Sequence, residues 1–283
     1  MWGGDNVTTL PLPRLSIMRT TAGFLLHIFK ERSVYLKQYK FNNLKNIHVI
    51  EIKKSEIESL DFVKGKEPRE TLKSFYDRQT LKPDIITNAG YFNMKTGESV
   101  FNFVDNGKVE STAASYKWGM GITAGGELKY GCVDSGEFKD FVSGFPVFLD
   151  GGVKVDMSYA KEVDYRARRT MLGYNDTTVF IVLIENPGAK LDLCQQIMFE
   201  LGCKYAINLD GGGSTKALDK QGKSITADAT NRPVDNFFCV YLKTEKKRID
   251  RVQVGAFGVE ANATRLAEER KSKGYPAFVL RGE

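Results

Sequence analysis

The sequence is poor in the residues on which the commonest catalytic and metal-binding mechanisms depend. Its 283 residues include two histidines, His27 and His48, and four cysteines, of which no two form a Cys-x-x-Cys pair. His48 lies in the apolar run 47–52, which favours a structural role. The chain therefore offers almost no histidine for a Ser-His-Asp or Cys-His mechanism. We also expect neither a metal nor another cofactor.

Long apolar runs, strong charge and a targeting segment are also missing. No apolar run reaches the ~18 residues of a membrane span, and the N-terminus lacks the basic and apolar regions of a signal peptide. The net charge of +6 is mild, and no basic run alternates with aromatic residues as a single-strand nucleic-acid groove requires. We therefore expect no membrane span, no signal peptide and no nucleic-acid partner.

The sequence does have enough apolar residues for a sizeable core, at 42% of the chain. Apolar or alternating runs predict the main elements, namely strands at 24–29, 47–52, 84–88, 101–104, 142–149, 178–184, 204–209 and 237–242, and helices at 68–79 and 190–201. The charged linker 243–251 favours a domain boundary. We expect an α+β fold, with a mixed β-sheet catalytic domain and flanking helices over residues 1–246 and a small C-terminal β-α-β unit over residues 247–283.

A strand–helix–strand unit is predicted over residues 178–210. The strand 178–184, the helix 190–201 and the strand 204–209 follow one another closely, which favours two parallel strands joined by a right-handed crossover. Glu185 and Asp210 follow the two strands directly. We therefore expect these two carboxylates at the same edge of one sheet.

The segment after the second of these strands is the most informative in the chain. It reads Asn208-Leu-Asp-Gly-Gly-Gly-Ser-Thr215. Three successive glycines let the backbone approach a ligand closely and leave N–H groups free to point at it. The alternative is an ordinary glycine-rich turn, because short motifs are weak signals by themselves.

Four other short blocks accompany this octapeptide in a fixed order. They are Asn88-Ala-Gly90-Tyr-Phe92, Ser143-Gly-Phe-Pro146, Arg169-Thr170-Met-Leu-Gly173 and Arg232-Pro-Val-Asp-Asn236. Taken together, the five blocks resemble the phosphodiester glycosidase family over residues 45–242. Two positions depart from the family pattern: Ala167-Arg168 replaces a common His-Pro, and Glu185-Asn-Pro187 replaces a common Asp-Gly-Arg.

The resemblance implies cleavage of a sugar–O–phosphate link at the anomeric carbon, in a carbohydrate substrate of the N-acetylglucosamine-1-phosphate type. Such chemistry needs a carboxylate near an oxocarbenium-like transition state. Asp210 is the predicted catalytic carboxylate, acting as nucleophile, as acid or base, or only to orient the substrate. Glu185 is its predicted partner. Because guanidinium groups bind phosphate bidentately, Arg169 and Arg232 are predicted to hold the phosphodiester.

The remaining predicted substrate-binding residues come from the same blocks. Gly211, Gly212 and Ser214 are expected to offer N–H and O–H donors to phosphate or sugar. Asn88 either binds a sugar hydroxyl or holds the glycine loops together. Tyr91 and Phe92 are expected to stack on a sugar face, with core packing as the alternative for one of them. The set is completed by Gly90 and Thr170.

The C-terminal tail resembles one half of a SPOR domain, a module that binds peptidoglycan. The resemblance rests on Arg251-Val-Gln-Val-Gly-Ala-Phe257, on a predicted helix at 262–271 and on Lys273-Gly-Tyr-Pro-Ala-Phe278. A complete SPOR domain has two such repeats, so two copies of the chain would rebuild one sheet in a homo-oligomer. The tail is otherwise a remnant or a truncated domain.

Enzyme and non-enzyme functions both remain open at this level. We expect a glycosidase held near peptidoglycan, in the bacterial cytoplasm before release or in a bacteriophage virion or cell wall. The alternative is a non-catalytic glycan-binding or structural phage or wall protein on the same fold. Retention of Asp210, Asn88 and both arginines favours the enzyme.

Overall fold

The computed structural model describes residues 27–31, 34–41, 44–66, 68–227, 231–244, 258–274, 277 and 279. The chain divides into two compact units, residues 1–243 and 244–283. The first unit contains the following strands: β1 His27–Glu31, β2 Val34–Phe41, β3 Leu44–Lys53, β4 Ile57–Lys64, β5 Ile85–Asn88, β6 Phe103–Asp105, β7 Lys108–Ser111, β8 Trp118–Thr123, β9 Leu128–Cys132, β10 Phe138–Ser143, β11 Val147–Asp150, β12 Val153–Lys154, β13 Ala167–Tyr174, β14 Thr178–Ala189, β15 Tyr205–Asn208, β16 Ala217–Asp219 and β17 Asn236–Leu242. Its helices are α1 Leu72–Arg78 and α2 Leu191–Glu200.

The strands form three antiparallel sheets. The largest has the order β1-β2-β3-β14-β13-β15-β11-β12, the second β7-β6-β10-β8-β9, and the third β16-β5-β17-β4. Antiparallel sheets therefore dominate, with a few helices around them, and the predicted α+β class is confirmed.

Strand β14 is buried on both faces, which explains its continuous apolar run. Ile181 and Leu183 point into a core that also contains residues of the other two sheets. Val182 and Ile184 point to the opposite face, where they join a second core cluster that includes residues of α2. The eight-stranded sheet is thus the central layer of the first unit.

The two strands of the predicted strand–helix–strand unit run parallel to each other, as expected, because β13 pairs with both β14 and β15 in antiparallel register. They are not neighbours in the sheet, since β13 lies between them. Strand β13 is not predicted from the sequence, because three arginines precede the apolar half of residues 166–174. In addition, β14 continues to Ala189, so Glu185 lies inside the strand and not at its end.

The helix α1 begins later than the sequence predicts. The predicted helix covers residues 68–79, whereas α1 begins at Leu72 after the cap residue Thr71, whose hydroxyl accepts a hydrogen bond from the Ser74 N–H at 3.1 Å. Such a cap satisfies one of the free N–H groups of a first turn. Just before the cap, Glu70 forms a β-bridge with Val234, which holds the preceding chain extended.

The second unit contains α3, Glu260–Ser272, and this confirms the helix predicted at 262–271. The strand predicted before it lies outside the described residues, and only residues 277 and 279 of the strand predicted after it are described. The half-SPOR assignment and the 1–246 and 247–283 domains stay predictions. No helix in the described part of the chain is both long and apolar enough to cross a membrane.

Candidate active site

The glycine-rich segment lies where the ends of β15 and β5 meet. The Asp210 N–H donates to the Ala89 carbonyl at 2.9 Å, and Asn88 Nδ2 donates to the Asp210 carbonyl at 2.6 Å. Beyond Asp210 the chain enters a short 3-10 turn, Gly212–Ser214. Because β5 and β15 belong to different sheets, these two bonds fix Asp210 at the junction between sheets.

Burial makes the Asp210 carboxyl a weaker acid than an exposed aspartic acid. Desolvation raises its pKa from 3.8 to about 6, although the Ser214 hydroxyl, the Gly211 N–H and the positive charge of Arg232 each lower it. The Gly211 N–H lies 2.9 Å from Asp210 Oδ1. A carboxyl that changes protonation state near neutral pH is suited to proton transfer or nucleophilic attack.

The Ser214 side chain provides a donor next to this carboxyl. Ser214 is 1% exposed, and its Oγ makes no hydrogen bond of ordinary geometry within the described residues. It still lies close enough to lower the pKa of Asp210. The Ser214 hydroxyl therefore acts on the Asp210 carboxyl, and its predicted role as a donor to substrate stays a prediction.

Arg232 packs its guanidinium against the backbone of the glycine-rich segment. A Cβ added to Gly213 would lie only 2.1 Å from Arg232 Cζ, so this contact requires glycine. Within the described residues the Arg232 guanidinium makes no hydrogen bond or ion pair with another side chain. Its positive charge nevertheless lowers the pKa of Asp210. The fork of N–H donors is therefore available for a phosphate beside the carboxyl.

We expect Gly213→Ala to displace Arg232 and to lower activity by about tenfold or more, with little loss of fold. The Cβ would overlap the guanidinium, which must move away from Asp210. Steady-state kinetics measure the effect. Gly125→Ala is the control, because its Cβ would meet only Thr123 Oγ1 at an ordinary 3.7 Å. Equal activity of the two variants would contradict this role of Gly213.

Asn88 holds the loops of the site together. Its Oδ1 accepts hydrogen bonds from Thr170 Oγ1 at 3.0 Å and from the Lys216 N–H at 3.3 Å, while its Nδ2 bonds the Asp210 carbonyl. Thr170 is fully buried and also bonds Thr215 Oγ1 at 3.3 Å. Of the two predicted roles for Asn88, this geometry supports the second.

Gly90 and Phe92 follow Asn88 along the chain and contact other parts of the protein. The Gly90 N–H donates to Asn236 Oδ1 at 2.5 Å, and a Cβ at Gly90 would lie 2.9 Å from Val142 Cγ2. Phe92 is buried and packs with Leu72 and other residues of a cluster under α1. Core packing is therefore the role that the structure shows for Phe92.

Two predicted residues are already engaged by protein groups. Arg169 is buried and donates to the carbonyls of Ala189, Val163 and Tyr165, at 3.2, 2.8 and 2.5 Å. Phosphate binding by Arg169 must use its remaining donors and stays a prediction.

Glu185 is only 3% exposed, and its Oε2 lies 2.6 Å from His48 Nε2. The side chain is thus paired inside the sheet with the histidine of the neighbouring strand β3. A catalytic role for Glu185 would require this pair to open, and it stays a prediction.

Two residues that were not predicted, Asn236 and Lys216, belong to the site together with Tyr91. Asn236, already part of the last sequence block, bonds the Gly90 N–H. Lys216 directly follows the octapeptide, and burial lowers its pKa. The Tyr91 hydroxyl donates to the Phe145 carbonyl at 2.6 Å, and burial, reinforced by the charge of Asp210, raises its pKa. Asn236 and Tyr91 had a sequence signal, namely their places in two of the blocks, whereas Lys216 had none.

Metal-ligating side chains do not converge in the part of the chain that the structure describes. There, no three His, Cys, Asp or Glu residues are grouped so that they could hold a metal ion.

Comparisons with known proteins give a family and several solved structures of similar fold. A family model described as phosphodiester glycosidase matches residues 82–241, more than half of the chain. The catalytic domain of zebrafish N-acetylglucosamine-1-phosphodiester alpha-N-acetylglucosaminidase, auto-inhibited by its pro-peptide, has a similar fold (TM-score 0.58, 18% identity, 81% of this chain and 87% of that chain). So has a hypothetical protein from Synechocystis (TM-score 0.58, 13% identity, 82% of this chain and 64% of that chain). No curated protein matches the sequence. The chain belongs to the phosphodiester glycosidase family.

Proposed function

We propose that this protein hydrolyses a sugar-1-phosphodiester of the N-acetylglucosamine-1-phosphate type in a glycan or cell-wall polymer. The observation that carries the proposal is the pairing of a carboxyl of pKa about 6 with a guanidinium whose donors are free among the described residues. The carboxyl is suited to act at the anomeric carbon, and the guanidinium is suited to bind the phosphate. The zebrafish enzyme of similar fold, named for an N-acetylglucosamine-1-phosphodiester, supports the same substrate class.

The proposed reaction breaks the bond between the anomeric carbon and the phosphate oxygen. A water oxygen bonds to the anomeric carbon, and the phosphate leaves with the bridging oxygen and its electron pair. Arg232 binds the non-bridging phosphate oxygens and stabilises the charge that develops on them. The ionised Asp210 either attacks the anomeric carbon or takes a proton from the attacking water.

A strong general acid is not required in this scheme. Phosphate is a good leaving group, because its negative charge is spread over several oxygens and is neutralised further by a guanidinium. One carboxylate near the anomeric carbon is then sufficient. This is consistent with the burial of Glu185 in its pair with His48.

We expect kcat/KM to fall as the pH drops below about 6. The active form of Asp210 in this scheme is the ionised one, and burial raises the pKa of its carboxyl to about 6, so protonation removes activity at and below that pH. Hydrolysis of a UDP-type N-acetylglucosamine-1-phosphodiester, followed over the acid-to-alkaline range, gives the profile. A rate that increases below pH 6 would assign Asp210 the role of acid instead.

The alternative function is that of a non-catalytic glycan-binding or structural phage or wall protein. The same substrate separates the two functions. Turnover that depends on Asp210 supports the enzyme, whereas glycan binding without any turnover supports the alternative.

The C-terminal segment is proposed to hold the enzyme near peptidoglycan, in a bacterial cell wall or a bacteriophage virion. The support is its half-SPOR pattern and the helix α3. Deleting residues 248–283 should abolish sedimentation of the protein with purified cell walls, without loss of hydrolysis of a small substrate. Unchanged sedimentation would contradict this anchoring role.

A homo-oligomer formed through two such tails would appear in the mass of the full chain in solution and disappear in the deletion variant.

A further inference from the structure

A cavity of about 350 Å³ lies in the first unit among β8, β9, β11 and the segment before β13. We call it the aromatic groove, because five of its ten lining residues are aromatic: Tyr116, Trp118, Tyr130, Phe145 and Tyr159. None of the predicted site residues lines it. Its volume lies in the range of small-ligand sites.

The aromatic rings of the groove face solvent to an unusual extent. Trp118 is 50% exposed and Tyr159 is 52% exposed. Trp118 also stacks on Tyr130, with ring centroids 5.4 Å apart. Large aromatic surfaces clustered in one concave, exposed place are a sign of a binding site and not of a core.

The backbone at Tyr116 is held in a conformation that is uncommon for a residue with a side chain. Its φ is +61°, in the left-handed region. The Tyr116 carbonyl accepts a hydrogen bond from Asn102 Nδ2 at 3.2 Å, and its ring packs on Phe145 at 4.5 Å. Strain of this kind persists where the surroundings fix it and is concentrated at functional sites.

Polar groups of the groove indicate what it binds. Asp150, at the end of β11, is exposed and makes no ion pair or hydrogen bond of its side chain within the described residues. Lys117 is neutralised by Asp134 at 2.5 Å. The Tyr159 hydroxyl accepts from the Val147 N–H at 3.3 Å and keeps its own proton for donation.

A neutral pyranose ring fits these groups best. Its C–H faces pack against aromatic rings, and its hydroxyls at the edge donate to a carboxylate such as that of Asp150. An anionic ligand would be repelled by Asp150, and a purely apolar peptide would bury this carboxylate without a partner, which is costly.

The groove is connected directly to the candidate active site. The Phe145 N–H donates to the Asn208 carbonyl at 3.1 Å, and Asn208 Nδ2 donates to the Phe145 carbonyl at 2.9 Å. Asn208 precedes Asp210 by two residues. We propose that the aromatic groove binds neutral pyranose rings of a glycan chain beside the Asp210 site. This site is separate from the proposed hydrolysis and does not depend on it.

The test measures binding of tri-N-acetylchitotriose, a neutral oligosaccharide without phosphate, to the full chain by isothermal titration calorimetry. We expect saturable binding that Trp118→Ala and Tyr159→Ala each weaken by about tenfold or more, because few aromatic contacts carry most of such binding energy. Asp150→Asn should weaken it less. Phe199→Ala is the matched control, because Phe199 is also an exposed aromatic residue but lies on α2, outside the groove, and it should bind as the wild type does.

Three outcomes would overturn the proposal. These are no saturable binding to a folded protein, binding that neither groove substitution weakens, and a groove that takes up an apolar peptide but no sugar. Circular dichroism of each variant shows whether it is folded, and Trp118→Phe, which keeps an aromatic ring, should retain most of the affinity. Sugar binding without hydrolysis would contradict only the proposed reaction, and hydrolysis without sugar binding would contradict only the groove.

Discussion

Asp210→Asn is expected to abolish hydrolysis of a sugar-1-phosphodiester, with a loss in kcat of about 10³-fold or more. The amide has nearly the same shape and can still accept the Gly211 N–H that now lies 2.9 Å from Oδ1. It can neither attack an anomeric carbon nor take a proton from water. Kinetics with purified protein measure the loss. Asp176→Asn, which removes an exposed carboxylate paired with Lys204 at the surface, is the control and should keep wild-type activity.

The stability of the same variant separates lost chemistry from lost folding. Burial raises the pKa of Asp210 from 3.8 to about 6, so the folded protein binds this proton more tightly than the unfolded chain does. The resulting penalty is absent below pH 3.8, grows as the pH rises, and is complete above pH 6. At neutral pH it amounts to at most about 3 kcal/mol.

The expected result is therefore an inactive variant whose melting temperature at neutral pH is equal to or above that of the wild type. This difference should vanish below pH 3.8, where Asp210 is protonated in both states. A variant that melts well below the wild type at neutral pH would mean that Asp210 is a structural residue and would contradict the assigned role. Wild-type activity in Asp210→Asn would contradict it too.

Arg232→Lys should lower kcat/KM by about 10²-fold while the fold is kept, because lysine retains the charge but cannot present the planar fork of donors that matches a phosphate. Arg232→Ala should lower it further. Because the charge of Arg232 lowers the pKa of Asp210, the alanine variant should also shift the acid limb of the pH profile upward, whereas the lysine variant should shift it little. Steady-state kinetics over the same pH range measure both effects.

The control for these variants is Arg166→Lys. Arg166 is exposed and contacts only the Gly188 carbonyl, at 3.1 Å, among its described hydrogen bonds. It should leave both kcat/KM and the pH profile unchanged. If Arg232→Ala affected neither the rate nor the position of the acid limb, phosphate would be bound elsewhere, and Lys216 would be the next candidate to substitute.

Elements with a strong apolar pattern could be predicted from the sequence. Strand β14 and helix α2 were found because burial leaves its period in the sequence. Strand β13 was missed because its first half carries Arg168 and Arg169, and Arg169 is buried only by virtue of carbonyls from three other positions. Such compensation depends on tertiary structure, and no local pattern reveals it.

The centre of the candidate site could also be predicted, whereas its surroundings could not. Asp210, Ser214 and Arg232 lie together as the order of the blocks implied. The pair between Glu185 and His48 joins residues 137 positions apart. The aromatic groove is likewise assembled from separate segments between residues 116 and 159. Contacts over these distances follow from strand order, which the sequence did not reveal.

The most direct test of the central claim is the position of the bond that is cleaved. Hydrolysis of the N-acetylglucosamine-1-phosphodiester in water labelled with heavy oxygen, followed by mass spectrometry of both products, locates the new oxygen. If the enzyme is a glycosidase acting at the anomeric carbon, the label enters the sugar and the phosphate stays unlabelled. Label in the phosphate would mean attack at phosphorus, and it would contradict the proposed roles of Asp210 and Arg232.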